Sequence, residues 1–375
     1  MQSHGLVDLQ VNGFGGVDFN ASQIDREAFE RAFAAMFATG VTTCLPTIIT
    51  ASVADLRLRL AALDEAIRNN RRASAMSPGY HLEGPFLNPA EGYAGCHPPA
   101  VMIAPDAGLV FDLERGLSRP ILLVTIAPEL PGAETFIRAM RQAGKIVAIG
   151  HSAADAETVA MAATAGAQMS THLGNGIPQF LPKLDNTIFA QLAADGLQAS
   201  FIADGIHLPQ PALRAMVRAK GISRAILVTD AVSAAGTAPG RYSFAGMTIE
   251  HGSDGSVRAP GGRSLAGSAL TLDRAVRNIV TSGIASTEDA IAMASDHPFA
   301  LLEPALRAHG IDAPDRGRVV WSEDLHVIEV RLADECYSAD RSMLTTSERS
   351  GRDTLSGRAF PSLTKPSTEP EEEKS

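Results

Sequence analysis

Cysteine is scarce: Cys44, Cys96 and Cys336 stand far apart, odd in number and without a CxxC pair. That counts against a disulfide framework or a cysteine-held metal finger, and it fits a reducing compartment. Basic runs are lacking as well. The formal net charge is −10 and no Lys/Arg cluster or stripe interrupts it, which argues against nucleic acid or an anionic membrane as partner; a small anionic substrate needs only a few local cations. No apolar run approaches the roughly 20 residues that span a bilayer. The opening MQSHG has neither the basic nor the apolar region of a secretion signal. A soluble, cytoplasmic protein is the expectation. Aromatics make up only 5% of the chain, yet 45% of it is hydrophobic, enough for a full core in an Ala-rich α/β protein of 375 residues.

What is present is an alternation. Short β-branched runs at 6–11, 41–45, 80–82, 121–126, 146–149, 168–171, 199–202 and 225–229 read as strands. Between them, 26–39, 51–69, 134–143, 155–165 and 210–220 carry apolar residues at helical spacing. Strands alternating with helices imply a parallel sheet, and eight such units without a break favour a closed (β/α)8 TIM-type barrel over residues 5–300. After Asp230 the pattern changes. Residues 241–257 alternate polar and apolar around a Gly-Ser-Asp-Gly turn, so 241–262 reads as a β-hairpin excursion to a small β-domain, with 301–335 as its remaining segment. Helical patterning returns at 270–282 and 287–295. Residues 336–375 end in EPEEEKS and read as a disordered tail, too polar to pack.

Five polar residues follow the strands: Glu83 in HLEGPF, His151 in AIGHS, His172 in MSTHLGNG, His207 in IADGIH and Asp230 in ILVTDA. In a parallel barrel all five open onto the C-terminal face, where side chains from distant strands converge. One such His is ordinarily a satisfied structural residue, and one such acid ordinarily a helix cap. Five together at a buried mouth are costly unless a cation compensates them. One Glu with two His is a ligand set for a catalytic zinc with an open water position. The ion would make its water acidic near neutrality, from a pKa of about 15.7 to about 7. Asp230 then suits a general base that later protonates the leaving nitrogen. His97, in GYAGCHPPA, is placed either to hydrogen-bond a developing oxyanion or merely to sit in a proline-rich loop.

These segments resemble the N-acetylglucosamine-6-phosphate deacetylases of the amidohydrolase superfamily. VDLQVNGFGGVDF is similar to the family's first barrel strand, HLEGPFLNP with GCHPPA to its metal-glutamate loop, and GHS, THLGNGIP, IADGIH, LVTDAVSAAG and LAGSAL to its later motifs in order. The resemblance runs from about Val7 to Ser295 and is specific as a set. It implies removal of an acetyl group from an N-acetylhexosamine 6-phosphate in amino-sugar catabolism. It implies Glu83, His151 and His172 as ligands of one divalent metal (zinc, with iron or cobalt also fitting). Asp230 would be the acid/base and His97 the carbonyl polariser. Cys96, Asn175, Gly176, His207 and the segment Leu265, Ala266, Gly267 would contact the sugar or its phosphate. A homodimer is implied too.

Four departures stand out. Gln10 and Asn12 replace the His-x-His pair that holds a second metal in many amidohydrolases, which favours a one-metal site in which Gln10 steadies the water or a neighbouring ligand. The stretch after THLGNGIP lacks the usual phosphate-binding arginine; Lys183 stands near that place and meets a phosphate only as a point charge. Gly176 replaces an alanine, leaving room for an altered sugar. The strands that precede the barrel in the family are not read here, so the expectation is either that the true start lies upstream of Met1 or that the small β-sandwich is reduced, which would leave an open sheet edge. Two other readings stay open: a deacylase of an unphosphorylated amino sugar, and a sugar-binding barrel without catalysis.

Overall fold

The computed structural model describes residues 1–262, 264–312 and 314–339. Met1–Ser338 form one compact unit. Eight parallel strands follow one another in sequence order around a sheet: β1 (Leu6–Val11), β2 (Val41–Ile49), β3 (Tyr80–Glu83), β4 (Ile121–Ile126), β5 (Ile146–Ile149), β6 (Met169–Ser170), β7 (Gln198–Phe201) and β8 (Ala225–Leu227). β1 to β5 are buried along their whole length, because the helices cover one face and the barrel interior the other. The helices begin where short polar side chains can accept the free N–H groups of the first turn: Asp25 accepts from Ala28 N, Ser52 from Asp55 N and Asp155 from Thr158 N. Phe19, Phe29 and Phe33 pack with ring centroids 4.7 to 5.7 Å apart and pin Arg26–Ala38 to the barrel; such aromatic pairs add about 0.5–1.5 kcal/mol each beyond their buried area.

The seam between β8 and β1 is closed mostly by hydrogen bonds beyond the regular ladder. Asp230 N donates to Gln10 O at 3.0 Å and Asn12 N to Ala231 O at 2.7 Å. Beneath them, buried Asp8 accepts from Thr229 Oγ1 at 2.6 Å, from Thr229 N at 3.2 Å and from Gln10 N at 3.3 Å. Burial pushes Asp8 up to about 7 even against these donors. Its folded pKa lies above its unfolded one, so this carboxyl favours the fold at low pH and loses that contribution as pH rises through about 7. Thr229→Val keeps the shape and removes the hydroxyl that serves Asp8. A loss of about 1–3 kcal/mol in denaturant unfolding is expected, largest above pH 7 where the carboxylate is ionised; an unchanged midpoint would show that Asp8 does not rely on it.

Three expectations need correction. The small domain is not without an N-terminal partner: Gln2–His4 pairs antiparallel with Arg318–Trp321, which continues through Val327–Leu332 to Glu335–Ser338 in a four-stranded sheet. Its inner residues Val319, Trp321, Val330 and Leu332 belong to the main core, so the sheet packs on the barrel's own layer. Secondly, the excursion after Asp230 does not join that sheet. Gly240–Phe244, Met247–His251 and Val257–Arg258 form a separate three-stranded sheet. Its Phe244, Ile249 and Val257 cluster with Ile49, Val232, Ala234 and Ala266 beside the barrel mouth. Thirdly, residues 301–308 of the expected β-segment belong to the helix Asp296–Ala308, and 336–338 of the expected tail lie in a strand. The remainder of the expected tail, 340–375, lies outside the described residues. Among the described residues no helix is long and apolar enough to cross a membrane.

Candidate active site

Glu83 ends β3, and His151, His172 and Asp230 stand just beyond β5, β6 and β8. At three of these positions the chain leaves the ladder abruptly: φ is 51° at His151, 30° at His172 and 49° at Asp230. Left-handed backbone is strained for such residues and persists only where neighbours enforce it. Here they do. His172 N donates to Ser200 Oγ at 2.8 Å, His151 O accepts from Asn88 N at 3.2 Å, and Asp230 O accepts from Ser268 N at 2.9 Å.

The side chains converge. Glu83 is buried, with Oε1 3.0 Å from His172 Nε2 and 3.6 Å from His151 Nε2, and with Oε2 3.7 Å from His97 Nε2. The ligand atoms of Glu83, His97 and His151 all lie within 4.8 Å of one another. His151 decides what this cluster can hold. Its Nδ1 donates to the Tyr93 carbonyl at 2.7 Å, and its Nε2 is buried without a partner. In the neutral ring Nε2 is therefore a lone pair facing a carboxylate, an arrangement that a cation between them satisfies. His97 is neutral: burial, with the neighbouring imidazole of His151, holds it down to about 3. Burial opposes charge on Glu83, but the imidazoles of His151 and His172 outweigh it and hold the carboxylate well below its usual range. The donor set, one carboxylate with buried imidazoles around it, fits a divalent metal that displaces the proton shared by His172 and Glu83.

Asp230 adjoins this cluster. Its Oδ1 accepts from Asn12 Nδ2 at 2.7 Å and from Gln10 Nε2 at 3.1 Å, while Gln10 Nε2 also reaches Glu83 Oε1 at 3.0 Å. The two amides at the places of the His-x-His pair thus tie one oxygen of the acid. Burial, and then the charge of Glu83, push Asp230 up to about 6.

No family model matches the chain. Curated relatives do: it is 34% identical over 345 residues to N-acetylglucosamine-6-phosphate deacetylase of Bos taurus, covering 88% of this chain and 82% of that protein. The chain belongs to the N-acetylglucosamine-6-phosphate deacetylase family. An N-acetylgalactosamine-6-phosphate deacetylase from Shewanella sp. (strain ANA-3) is 33% identical over 344 residues, covering 90% of this chain and 83% of its own. Among solved structures, the N-acetyl-D-glucosamine-6-phosphate deacetylase of Mycobacterium smegmatis, as a mutant in complex with N-acetyl-D-glucosamine-6-phosphate, superposes with a TM-score of 0.78 at 28% identity, covering 90% of this chain and 87% of that one. The chain is accordingly a hydrolase acting on amide bonds.

The other residues expected from the resemblance to this deacetylase family are placed unequally. His207 is buried, with Nδ1 2.6 Å from Asp204 Oδ2. Asn175 folds back, Nδ2 donating to His172 O at 3.0 Å. Gly176 has φ 62°, and a Cβ there would lie 2.6 Å from His151 Nδ1. Its smallness therefore spares a ring of the metal cluster, which differs from the expected role of widening the sugar pocket. Gly267 has φ 69°, and a Cβ would meet Val232 Cγ1 at 2.3 Å; only glycine lets Leu265–Gly267 run beside the end of β8. Cys96 is half-buried, and burial with the charges of Asp230 and Glu83 pushes its thiol up to about 12, which excludes a thiolate nucleophile. Lys183 is exposed on the loop before Thr187–Ala193 and has no partner among the described residues. Several contacts had no signal in the sequence: Thr50 Oγ1 lies 2.9 Å from His97 Nδ1, Tyr93 contributes a backbone oxygen, and Ser200 contributes a hydroxyl from the next strand. Asp204 stands inside the IADGIH motif, where its partner His207 is the more conspicuous residue.

Proposed function

We propose that the chain hydrolyses the N-acetyl amide of an N-acetylhexosamine 6-phosphate, with N-acetylglucosamine 6-phosphate the expected substrate, releasing the amino sugar phosphate and acetate. The observation that carries this reading is Asp230 held on one oxygen by Gln10 and Asn12 beside the buried Glu83–histidine cluster. Glu83, His151 and His172 would hold one divalent metal. Glu83 Oε1 faces both imidazoles at 3.0 and 3.6 Å, which brackets the spacing of about 3.3 Å that bonds of about 2.0–2.1 Å make in a tetrahedral site. Zinc suits this set, and iron or cobalt also fits. When bound, the ion supplies Lewis acidity and makes a water acidic near neutral pH.

The protein groups do the rest. Asp230 accepts the proton of the attacking water through Oδ2, the oxygen its amide partners leave uncommitted, and returns it to the departing amine. The Thr50 hydroxyl lies 2.9 Å from His97 Nδ1 and 3.3 Å from the Glu83 carbonyl oxygen; turned to Nδ1, it leaves His97 its proton on Nε2, which then meets the carbonyl oxygen as charge builds there. His207, Asn175, Gly176 and the Leu265, Ala266, Gly267 segment bind the sugar and its phosphate, with Lys183 and Cys96 at the edges. A soluble, cytoplasmic homodimer belongs to the same reading.

A panel of N-acetylglucosamine and N-acetylgalactosamine, each with and without 6-phosphate, tests it alongside metal analysis. A kcat/KM at least about 100-fold higher on a phosphorylated sugar is expected, as several charge-assisted contacts together would supply. Equal or better turnover of the free sugars would establish the unphosphorylated reading, which the exposure of Lys183 favours. No metal and no turnover of any member would establish a binding barrel.

A further inference from the structure

Asp204 and His207 lie on the loop after β7, three residues apart, with both side chains nearly sealed from solvent at 8% and 6% exposure. Asp204 Oδ1 accepts from the backbone N–H groups of Ile206 and His207, each at 2.8 Å, and Oδ2 lies 2.6 Å from His207 Nδ1. Burial alone would raise this acid, but the imidazole and the two amides outweigh it, and its pKa is lowered. An ionised carboxylate only accepts, so Nδ1 must carry a proton and Nε2 is the nitrogen left for other work. Nε2 has no protein partner among the described residues. The ring is also close enough to Asp230 to draw that acid's pKa down, so it lies near the reaction centre. Lys183, the cation proposed for the phosphate, is exposed.

We propose that Asp204 is the positioning residue for the anionic end of the substrate: it fixes His207 with Nδ1 protonated and places a negative charge behind the ring, so that Nε2 shares a proton with a phosphate oxygen. The inference rests on the reading that the substrate carries a phosphate and that His207 meets it. It assigns the grip normally expected of an arginine to a buried Asp–His pair, and it makes Asp204 a determinant of specificity that does not touch the substrate.

Asp204→Asn tests it, because the amide keeps an acceptor for the two backbone N–H groups and removes only the charge. KM for N-acetylglucosamine 6-phosphate is expected to rise on the order of 10- to 100-fold, as for a lost charge-assisted hydrogen bond, with kcat within about threefold. Hydrolysis of free N-acetylglucosamine should change by less than about twofold. In a His207→Gln background Asp204→Asn should add nothing, since both remove one device. Nitrogen NMR of the labelled wild-type ring should show Nδ1 protonated, a readout that survives if the variant folds poorly. Equal losses on both sugars, additive losses in the double variant, or a bare Nδ1 would overturn the proposal. A wild type inactive on every 6-phosphate would sink the functional reading instead, whereas an active wild type with an indifferent Asp204→Asn sinks this inference alone.

Discussion

Asp230→Asn is expected to lower kcat by about 10²- to 10⁴-fold, the usual contribution of a positioned acid/base, without loosening the fold. Asn retains Oδ1 for the donors of Gln10 and Asn12 at 3.1 and 2.7 Å, and it tolerates the left-handed φ of 49° better than most residues. What it lacks is an oxygen that can take a proton. The pH dependence has a definite sign. The base must be ionised, so the wild-type rate falls as pH drops through the Asp230 pKa. Burial and the charge of Glu83 raise that pKa to about 6, and a cation beside Glu83 pulls it down, so the acid limb of kcat/KM belongs at or below about pH 6. Because the folded pKa lies above the unfolded one, the metal-free protein loses stability as pH rises towards about 6 through this group. The Asn variant escapes that loss and should melt at pH 7 no lower than the wild type. Retained turnover, or an acid limb well above neutrality, would remove Asp230 from the role of base.

Removing the metal is expected to be equally severe. Chelation should abolish hydrolysis and added zinc restore it. A ligand that binds only the folded state at 100 times its Kd stabilises by about 2.7 kcal/mol, which for a chain of this size raises Tm by several degrees. Glu83→Gln should show neither the activity nor the zinc-dependent rise in Tm, because the charge that both imidazoles face at 3.0 and 3.6 Å is gone. Affinity should tighten as pH rises. In the metal-free site the hydrogen bond and charge of Glu83 overcome burial and raise the His172 pKa, so the ion must displace a proton from that pair. A Glu83→Gln protein that binds zinc one to one and hydrolyses substrate would contradict the assignment.

The parts of the barrel read from the sequence were those whose identity is local. β1, β4 and β5 coincide with their apolar runs because both faces are buried and nothing interrupts them. The expected strand 41–45 runs on through Pro46 to Ile49, because Pro46 sits opposite Val11, where the register with β1 is already irregular. β6 shortened to Met169–Ser170 because His172 turns the chain off the ladder. The site followed the same division. Strand-end acids and histidines were legible from their spacing, as was Gln10 as a brace for a ligand. A carbonyl of Tyr93 or a hydroxyl of Thr50 acquires its role only from what the fold brings beside it, and no residue type announces that.

The small sheet has a consequence for how this chain reaches its native state. Met1 N donates to Trp321 O across 320 positions, and Trp321 Nε1 donates to Ser3 Oγ at 2.9 Å. The strand Gln2–His4 is therefore moored by a segment made more than 300 residues later. β1 pairs at once with nearby β2, but its other edge must wait for β8. Contacts of such span make folding slow, and Gln10 and Asn12 can brace Asp230 and complete the mouth only after the chain has been made past residue 230.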